Sequence, residues 1–185
     1  EEWLISVEDL NKATQALRVS MPSAVFAVEN HDGFQREKKY LARWDLGIDD
    51  AGSAQIEEHF DQPAMKFLVR SVNHELSSDE MLKIAQKELK GIATATHSNS
   101  SESLLEISAI GVSKGETLAK LAQRLDISAA DVITFGDNPN DISMLEWSGR
   151  SYAMATAHPD AQTAAKSIAP ECNDDGVAQI LEELI

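Results

Sequence analysis

The ten residues VITFGDNPND, numbers 132–141, decide the fold of the second half of this chain. The apolar and β-branched run from Val132 to Phe135 is typical of a buried strand. Gly136 lets the backbone turn tightly directly after it. Two aspartates and two asparagines then fall within positions 137–141. Parallel sheets bind ligands just beyond the carboxyl ends of their strands, so the stretch predicts a strand that ends in a polar site.

Strands and helices alternate on both sides of this stretch. Residues 113–127 have a helical pattern, which places Leu118, Leu121, Ala122 and Leu125 on one stripe. The elements predicted after the stretch are a helix at 141–148, a strand at 151–155, a helix at 159–167, a short strand near Ile168 and a helix at 176–184. This alternation is typical of a parallel, doubly wound sheet. We therefore predict that residues 111–185 form half of a Rossmann-like α/β domain.

The first half of the chain has a different organisation. Its predicted elements are a helix that follows the N-cap Ser6, strands at 23–30, 34–41 and 65–72, a short helix at 53–60, a helix at 77–91, and strands at 92–98 and 104–110. The last two strands are joined by a short polar loop, which favours an antiparallel hairpin. We therefore predict that residues 1–110 form an α+β domain with an antiparallel sheet.

Charge and cysteine content restrict the partners and the compartment. The 185 residues include 31 acidic and 16 basic side chains, for a net charge of −15, which repels nucleic-acid phosphate and anionic lipid. No apolar run approaches the length of about 18 residues that a membrane span needs. The single cysteine, Cys172, excludes an internal disulfide and suits a reducing cytosol. We expect a cytoplasmic protein that binds neither nucleic acid nor membrane; the sequence does not determine its oligomeric state.

The polar residues after the strand have two explanations. Asn140 or Asp141 could cap the following helix, a common arrangement that contributes roughly 1 kcal/mol. A cap accounts for one of them but not for Asp137, which precedes the helix by several positions. A carboxylate at a strand end is a natural ligand for a hard cation such as Mg²⁺. The residues therefore favour a metal or phosphate site over simple capping.

Lys114 is the second unusual residue. It falls in the first turn of the helix at 113–127, where the helix dipole disfavours a cation by roughly 0.3–1 kcal/mol. Lys114 is either a solvated side chain that tolerates this cost, or a point charge that offsets nearby acid and holds an anionic substrate. Its position alone leaves both explanations open.

Two motifs together resemble a known family. GVSKG at 111–115 and GDNPND at 136–141 resemble the third and fourth motifs of the haloacid dehalogenase (HAD) superfamily, most closely its Cof-type phosphatases with a large α/β cap. The tail NDDGVAQILEEL at 173–184 is similar to the usual ending of that family, and residues 1–110 resemble the inserted cap. The resemblance implies an α/β fold in which a partial Rossmann-like core carries an α+β cap with an antiparallel sheet.

The resemblance implies hydrolysis of a phosphate ester on a small phosphorylated metabolite, with sugar phosphates among the candidates. In the family an aspartate attacks phosphorus, water hydrolyses the resulting aspartyl-phosphate, and Mg²⁺ neutralises the phosphoryl charge. Carried over to the matching positions, Lys114 would stabilise the nucleophile and the phosphate, and Asn140 would hydrogen-bond near the phosphate. Asp137 would hold Mg²⁺, and Asp141 would orient Lys114 or a metal-bound water at the same metal site.

The chain departs from the family pattern in one important respect. The nucleophile of the family lies in a DxDGT-like motif near the start of the chain, and no such motif occurs here. HDGF at 31–34 has an Asp-Gly but lacks the paired aspartates. We therefore expect a fragment whose nucleophile lies outside this chain, with no turnover of its own and an incomplete parallel sheet. The alternatives are a non-catalytic binding or regulatory protein with this fold, and a phosphotransferase or phosphomutase.

The predicted cap offers several candidate contacts for the leaving group of the substrate. They are Glu29, Asn30, His31, Arg43, Trp44 and the turn at 97–102. Each has a structural alternative: Trp44 fits packing better, the turn fits an exposed hairpin, and His31 and His97 fit surface positions. Thr156 stands where the family often has Asn, a departure from which we expect little consequence.

Overall fold

The computed structural model describes residues 2–41 and 52–183. The chain divides into two compact units, Glu1–Val112 and Ser113–Ile185. One contains a five-stranded antiparallel sheet and the other a three-stranded parallel sheet. The predicted α/β fold class, with a parallel and an antiparallel sheet, is therefore confirmed. No helix in the described part of the chain is both long and apolar enough to cross a membrane.

The first unit is built around its antiparallel sheet. Its helices are α1 (Val7–Ser20) and α2 (Ser78–Glu88), and its strands are β1 (Ala24–Asn30), β2 (Gly33–Arg36), β3 (Lys66–Ser71), β4 (Ala93–Thr96) and β5 (Leu104–Ala109). The strand order is β2-β1-β3-β5-β4, and each neighbouring pair is antiparallel. β2 is shorter than the strand predicted at 34–41, and the short helix predicted at 53–60 is a 3-10 turn, Ile56–His59.

One face of this sheet packs against both helices. Phe26 of β1 and Phe67 of β3 are fully buried and their rings stack with centroids 5.3 Å apart. Leu17 of α1 and Met81 of α2 belong to the same buried cluster. Burial of each such side chain contributes roughly 1.5–3 kcal/mol. This cluster accounts for the alternation in β3, where every second residue is buried.

A partly buried ion-pair network joins α1 to the sheet. The Arg18 guanidinium lies 2.5 Å from Glu37 Oε1 and 2.7 Å from Glu57 Oε2, and it stacks over the Phe26 ring. Glu37 also accepts hydrogen bonds from the backbone N–H groups of Phe26 and Ile56, both at 3.1 Å. The hydrogen bond with Glu57 raises the pKa of Arg18. Burial raises the pKa of Glu57, but the hydrogen bond and charge of Arg18 bring it below its usual value.

One histidine prediction is wrong and one is confirmed. His97, predicted to lie at the surface, is 1% exposed, and its Nε2 lies 2.7 Å from Asp79 Oδ1 on α2. The carboxylate gives the imidazole a polar partner, which makes its burial tolerable. His31 is exposed, as predicted. Arg43 and Trp44 lie outside the described residues.

The second unit contains the parallel sheet. Its helices are α3 (Lys114–Arg124), α4 (Ile142–Trp147), α5 (Pro159–Ala164) and α6 (Gly176–Glu182), and its strands are β6 (Ile133–Gly136), β7 (Arg150–Met154) and β8 (Ser167–Ala169). The strand order is β6-β7-β8, and both pairings are parallel. The predicted sequence of alternating strands and helices is confirmed. That this unit is half of a larger core domain stays a prediction.

The core of the second unit is small and leaves part of α3 uncovered. The fully buried residues Leu145, Ala153 and Ala161 pack together between the sheet, α4 and α5. On α3 only Ala122 of the predicted apolar stripe is buried, whereas Leu121 is 51% and Leu125 is 59% exposed. The helical period alone does not reveal this difference, because burial requires a packing partner as well as a stripe.

Candidate active site

The site begins at Gly136, the last residue of β6. A Cβ atom added to Gly136 would lie 2.5 Å from Cβ of Asp141. Real Cβ atoms do not approach so closely, so only glycine leaves room for the Asp141 side chain to fold back over the strand end. The short turn Pro139–Asp141 and α4 follow at once. The sequence therefore brings a carboxylate to the carboxyl end of β6.

Asp141 is held by the backbone of the turn that precedes it. Its Oδ2 accepts hydrogen bonds from the backbone N–H of Asp137 at 2.9 Å and of Asn138 at 3.1 Å. The Asn138 side chain in turn accepts from the backbone of Asp141, which completes a capping box. Asp141 therefore takes part in the capping box of a 3-10 turn, whose N-cap is Asn138, and its side chain does not cap α4 as the capping explanation expected.

Lys114 lies beside this carboxylate. It is the first residue of α3, and its Nζ donates a hydrogen bond to Asp141 Oδ1. The Asp141 side chain is 4% exposed and that of Lys114 is 49% exposed. A half-buried cation therefore faces a buried anion, which offsets the unfavourable position of Lys114 at a helix N-terminus. The ammonium keeps two donors for an anion.

Asp137 has the most accessible carboxylate of the cluster. It is exposed, and its Oδ2 accepts a hydrogen bond from Asn138 Nδ2 at 2.8 Å. Its backbone carbonyl accepts from the N–H of His158 at 2.8 Å, which ties the strand end to the loop before α5. Asn140 is half-buried in the same turn. The structure thus gathers Lys114, Asp137, Asn140 and Asp141 around the carboxyl end of β6.

The oxygen donors at this strand end fit a small hard cation. Mg²⁺ prefers one or two carboxylates together with water and phosphate oxygens. Asp137 offers an exposed carboxylate for this purpose. Asp141 has less to offer, because two backbone N–H groups occupy the two lone pairs of its Oδ2 and Lys114 occupies one on Oδ1. Asp137 is therefore the better direct ligand, and Asp141 fits a positioning role more closely.

Two residues that the sequence predictions left out contribute to the site. Asn138 fixes the Asp137 carboxylate through its side-chain amide. Gly115 lets α3 begin in contact with α4, since a Cβ there would lie 2.9 Å from the backbone nitrogen of Met144 and closer still to Ser143. Asn138 could have been found from its position next to Asp137. The role of Gly115 depends on a helix that follows it much later in the chain.

Comparison with known proteins identifies the family. Residues 10–181 match the haloacid dehalogenase-like hydrolases, and the chain belongs to that family. This agrees with the geometry of the site, in which a lysine and two aspartates meet at the carboxyl end of a parallel strand.

Relatives with assigned activities are phosphatases. The chain is 31% identical over 106 residues to the 5-amino-6-(5-phospho-D-ribitylamino)uracil phosphatase YwtE of Bacillus subtilis (strain 168), over 57% of this chain and 37% of the relative. It is 35% identical over 74 residues to a phosphoglycolate phosphatase of Methanothrix thermoacetophila, over 40% of this chain and 33% of the relative. The aligned region thus spans between a third and two-fifths of the length of these relatives.

A solved structure shows the same fold. The chain superposes on a sugar phosphatase of HAD subclass IIB with a TM-score of 0.74 and 18% sequence identity, over 98% of this chain and 68% of the other. At this identity the comparison establishes the fold alone. The similarity covers both the antiparallel and the parallel sheet.

Proposed function

We propose that this chain carries the lysine and metal side of the active site of a Mg²⁺-dependent phosphate-monoester hydrolase. The observation that carries the proposal is the contact between Lys114 and Asp141 at the carboxyl end of β6, where the backbone N–H of Asp137 donates to the same Asp141 carboxylate. A cation, Lys114, and a residue with an exposed carboxylate, Asp137, are thus both bonded to Asp141. A phosphate monoester needs both, because Lys114 can bind its oxygens directly and a carboxylate-bound cation can neutralise the rest of its charge.

Each residue of the site has its own role in binding the phosphate or the metal. Lys114 binds a phosphate oxygen while Asp141 holds its ammonium in place. Asp137 would hold Mg²⁺, which would neutralise charge on the phosphoryl group. Asn140 donates its amide to a phosphate oxygen. Asn138 orients the Asp137 carboxylate through the 2.8 Å hydrogen bond between them.

The nucleophile of the proposed reaction is an aspartate outside these 185 residues. Its carboxylate oxygen would form a bond to phosphorus as the bond to the leaving alcohol breaks, and water would then release phosphate from the acyl phosphate. No aspartate pair of the required DxD kind occurs in the sequence. Among the described residues β6 pairs only with β7, so the other edge of β6 is open to a further strand.

The proposed substrate is a small phosphorylated metabolite. The relatives named above act on a phosphorylated ribitylamino-uracil and on phosphoglycolate, and the structural neighbour is a sugar phosphatase. Each is a phosphate monoester of a small polar molecule. We propose a substrate of this kind for the present chain and a cytoplasmic location, which the lone Cys172 favours.

Metal binding can be measured on the chain as it is. Titration with MgCl₂ in the presence of inorganic phosphate should shift the backbone amide NMR signals of Asp137, Asn138 and Asn140. Asp137→Ala should remove these shifts. Asp131→Ala is the matched control, because Asp131 is an exposed carboxylate before β6 and lies away from its carboxyl end. Shifts that are unaffected by Asp137→Ala would refute the metal assignment.

Turnover requires the missing nucleophile. The 185-residue chain should release no phosphate from p-nitrophenyl phosphate, and a longer form that supplies an aspartate pair beside β6 should do so only with Mg²⁺. In that form Asp137→Ala should lower the rate at least about a hundredfold, the scale expected when one electrostatic partner of the transition state is lost. Phosphorylation of a second substrate in place of phosphate release would indicate a phosphotransferase or mutase, and binding without turnover a regulatory protein.

A further inference from the structure

Ser143, the second residue of α4, contacts the start of α3. Its hydroxyl oxygen accepts a hydrogen bond from the backbone N–H of Gly115 at 3.0 Å. Gly115 directly follows Lys114 in the chain. The hydroxyl therefore binds the backbone next to the residue whose ammonium contacts Asp141.

The N-terminus of α3 depends on this contact. The first N–H groups of a helix have no partner within the helix. In α3 the N-cap Ser113 serves one of them, because its side chain accepts from the N–H of Glu116 at 3.1 Å. Its carbonyl accepts the first regular helical hydrogen bond, from the N–H of Thr117 at 3.0 Å. Gly115 is buried, so its N–H needs a partner from elsewhere in the protein, and Ser143 is that partner.

The packing around Gly115 makes the contact rigid. The backbone of α3 approaches that of α4 so closely that a Cβ on Gly115 would overlap the backbone of Ser143 and Met144. The approach fixes the position of the Lys114 Cα relative to α4. Asp141, two residues before Ser143, holds the other end of the same lysine. Residues at the start of α4 therefore contact both ends of Lys114: Ser143 binds the adjoining backbone N–H of Gly115, and Asp141 binds the ammonium.

We propose that Ser143 is a positioning residue of the active site, which fixes Lys114 against Asp141 through the Gly115 N–H. The catalytic importance of Ser143 rests on the proposed function. The contact between Ser143 and Gly115 is independent of it. A long, flexible lysine loses rotamer entropy when it is held in one place. When the Cα of Lys114 is fixed, fewer side-chain conformations are available to the lysine. The ammonium is therefore already close to its phosphate-binding position before the substrate binds.

The test uses the 185-residue chain and two readouts that do not involve turnover. One is the exchange rate of the Gly115 amide proton with solvent. The other is the rate at which acetic anhydride acylates the Lys114 amine, relative to the exposed Lys90, followed by mass spectrometry. Ser143→Ala removes the acceptor. We expect roughly five- to tenfold faster exchange at Gly115, the factor that corresponds to one lost hydrogen bond, and faster acylation of Lys114.

Two further variants separate positioning from general destabilisation. Ser143→Thr keeps the hydroxyl and should restore slow exchange and slow acylation. Ser128→Ala removes a comparable hydroxyl, the cap of the turn before β6, and should leave both rates unchanged. Unchanged rates in Ser143→Ala would overturn the proposal. Equal acceleration at all amides of the second unit would also overturn it, since Ser143 would then act on stability alone.

The two proposals can fail separately. Suppose that a long form of the protein has no phosphatase activity, while Ser143→Ala still accelerates Gly115 exchange and Lys114 acylation. The proposed function is then wrong and the positioning role stands. If the long form is active and Ser143→Ala leaves the lysine unaffected, the positioning role is wrong and the proposed function stands.

Discussion

Gly136 shows how a single residue makes the site possible. Its missing side chain leaves the space that Cβ and Cγ of Asp141 occupy. Asp141 can then accept from two backbone N–H groups and from Lys114 at the same time. The Asp141 carboxylate thereby fixes both the turn and the ammonium of Lys114. It can do so only because residue 136 is a glycine.

Gly136→Ala should destabilise the second unit. A glycine-to-alanine change usually stabilises by reducing the freedom of the unfolded chain, but here the added methyl meets a Cβ that is fixed by its own backbone. Overpacking of this kind costs about 1–3 kcal/mol. The free energy of unfolding, measured by urea denaturation, should fall by that amount.

A double variant checks the cause of this loss. Asp141→Gly removes the atoms that the new methyl would meet, so Gly136→Ala should cost less in that background. An equal cost in both backgrounds would show that the methyl collides with something other than Asp141.

At the scale of an element, α2 shows how the ends of helices are fixed by local sequence. Ser77 and Glu80 form a complete capping box: the Ser77 hydroxyl accepts from the Glu80 N–H, and the Glu80 carboxylate accepts from the Ser77 N–H at 2.8 Å. Two hydrogen bonds to the Glu80 carboxylate lower the pKa of Glu80: first the one from the backbone N–H of Ser77, and then one that the Ser77 hydroxyl donates at 2.8 Å. The same capping residues predicted the start of this helix from the sequence.

The stability that Glu80 contributes should depend on pH in a defined direction. A carboxyl whose pKa is lower in the folded state stabilises the fold above its unfolded pKa, and this contribution is lost as pH falls through the folded pKa. An NMR titration of the side-chain carboxyl carbon should place the pKa of Glu80 below the value for an unperturbed glutamate. Ser77→Ala should raise it toward that value.

Ser6→Ala is the matched control for this titration. Ser6 caps α1 in the same way and does not contact Glu80. Its removal should leave the pKa of Glu80 unchanged. A Glu80 pKa that is insensitive to Ser77→Ala would contradict the assignment of the shift to the capping box.

At the scale of the whole molecule, the second unit exposes apolar side chains that a compact domain normally covers. Leu121 and Leu125 of α3, Ile127 after it and Ile168 of β8 are exposed in the folded chain. Adjacent exposed apolar residues mark surfaces where other polypeptide binds. Whether the parallel sheet is incomplete stays a prediction.

The combined substitution of Leu121 and Leu125 by Gln should leave the stability of this chain within about 0.5 kcal/mol of the original, because neither side chain is buried. It should also reduce the binding of a hydrophobic dye such as ANS. Leu145→Ala is the contrasting variant: Leu145 is fully buried, and its truncation should cost about 2–5 kcal/mol. A comparable loss in the Gln variant would mean that α3 is covered in solution.

Much of the fold could be predicted because its signals are local. Ser6, Ser77 and Ser113 each precede the helix whose start they predicted, and each cap bonds to a residue three positions later. The strand before Gly136 ends where the turn residues begin. β2 was predicted too long, since residues 34–41 alternate loosely as a strand does, but the paired register of β1 and β2 ends at Arg36.

Local sequence was enough to predict the succession of strands and helices, the polar strand end at 136–141 and the candidate residues around it, because backbone conformation follows from side chains a few positions apart. The burial of His97 against Asp79, the exposure of Leu121 and Leu125, and the bond from Ser143 to the backbone beside Lys114 all follow from tertiary packing. Burial and such contacts depend on elements distant in the sequence, and the spacing of residues within one element contains no information about which other element will pack against it.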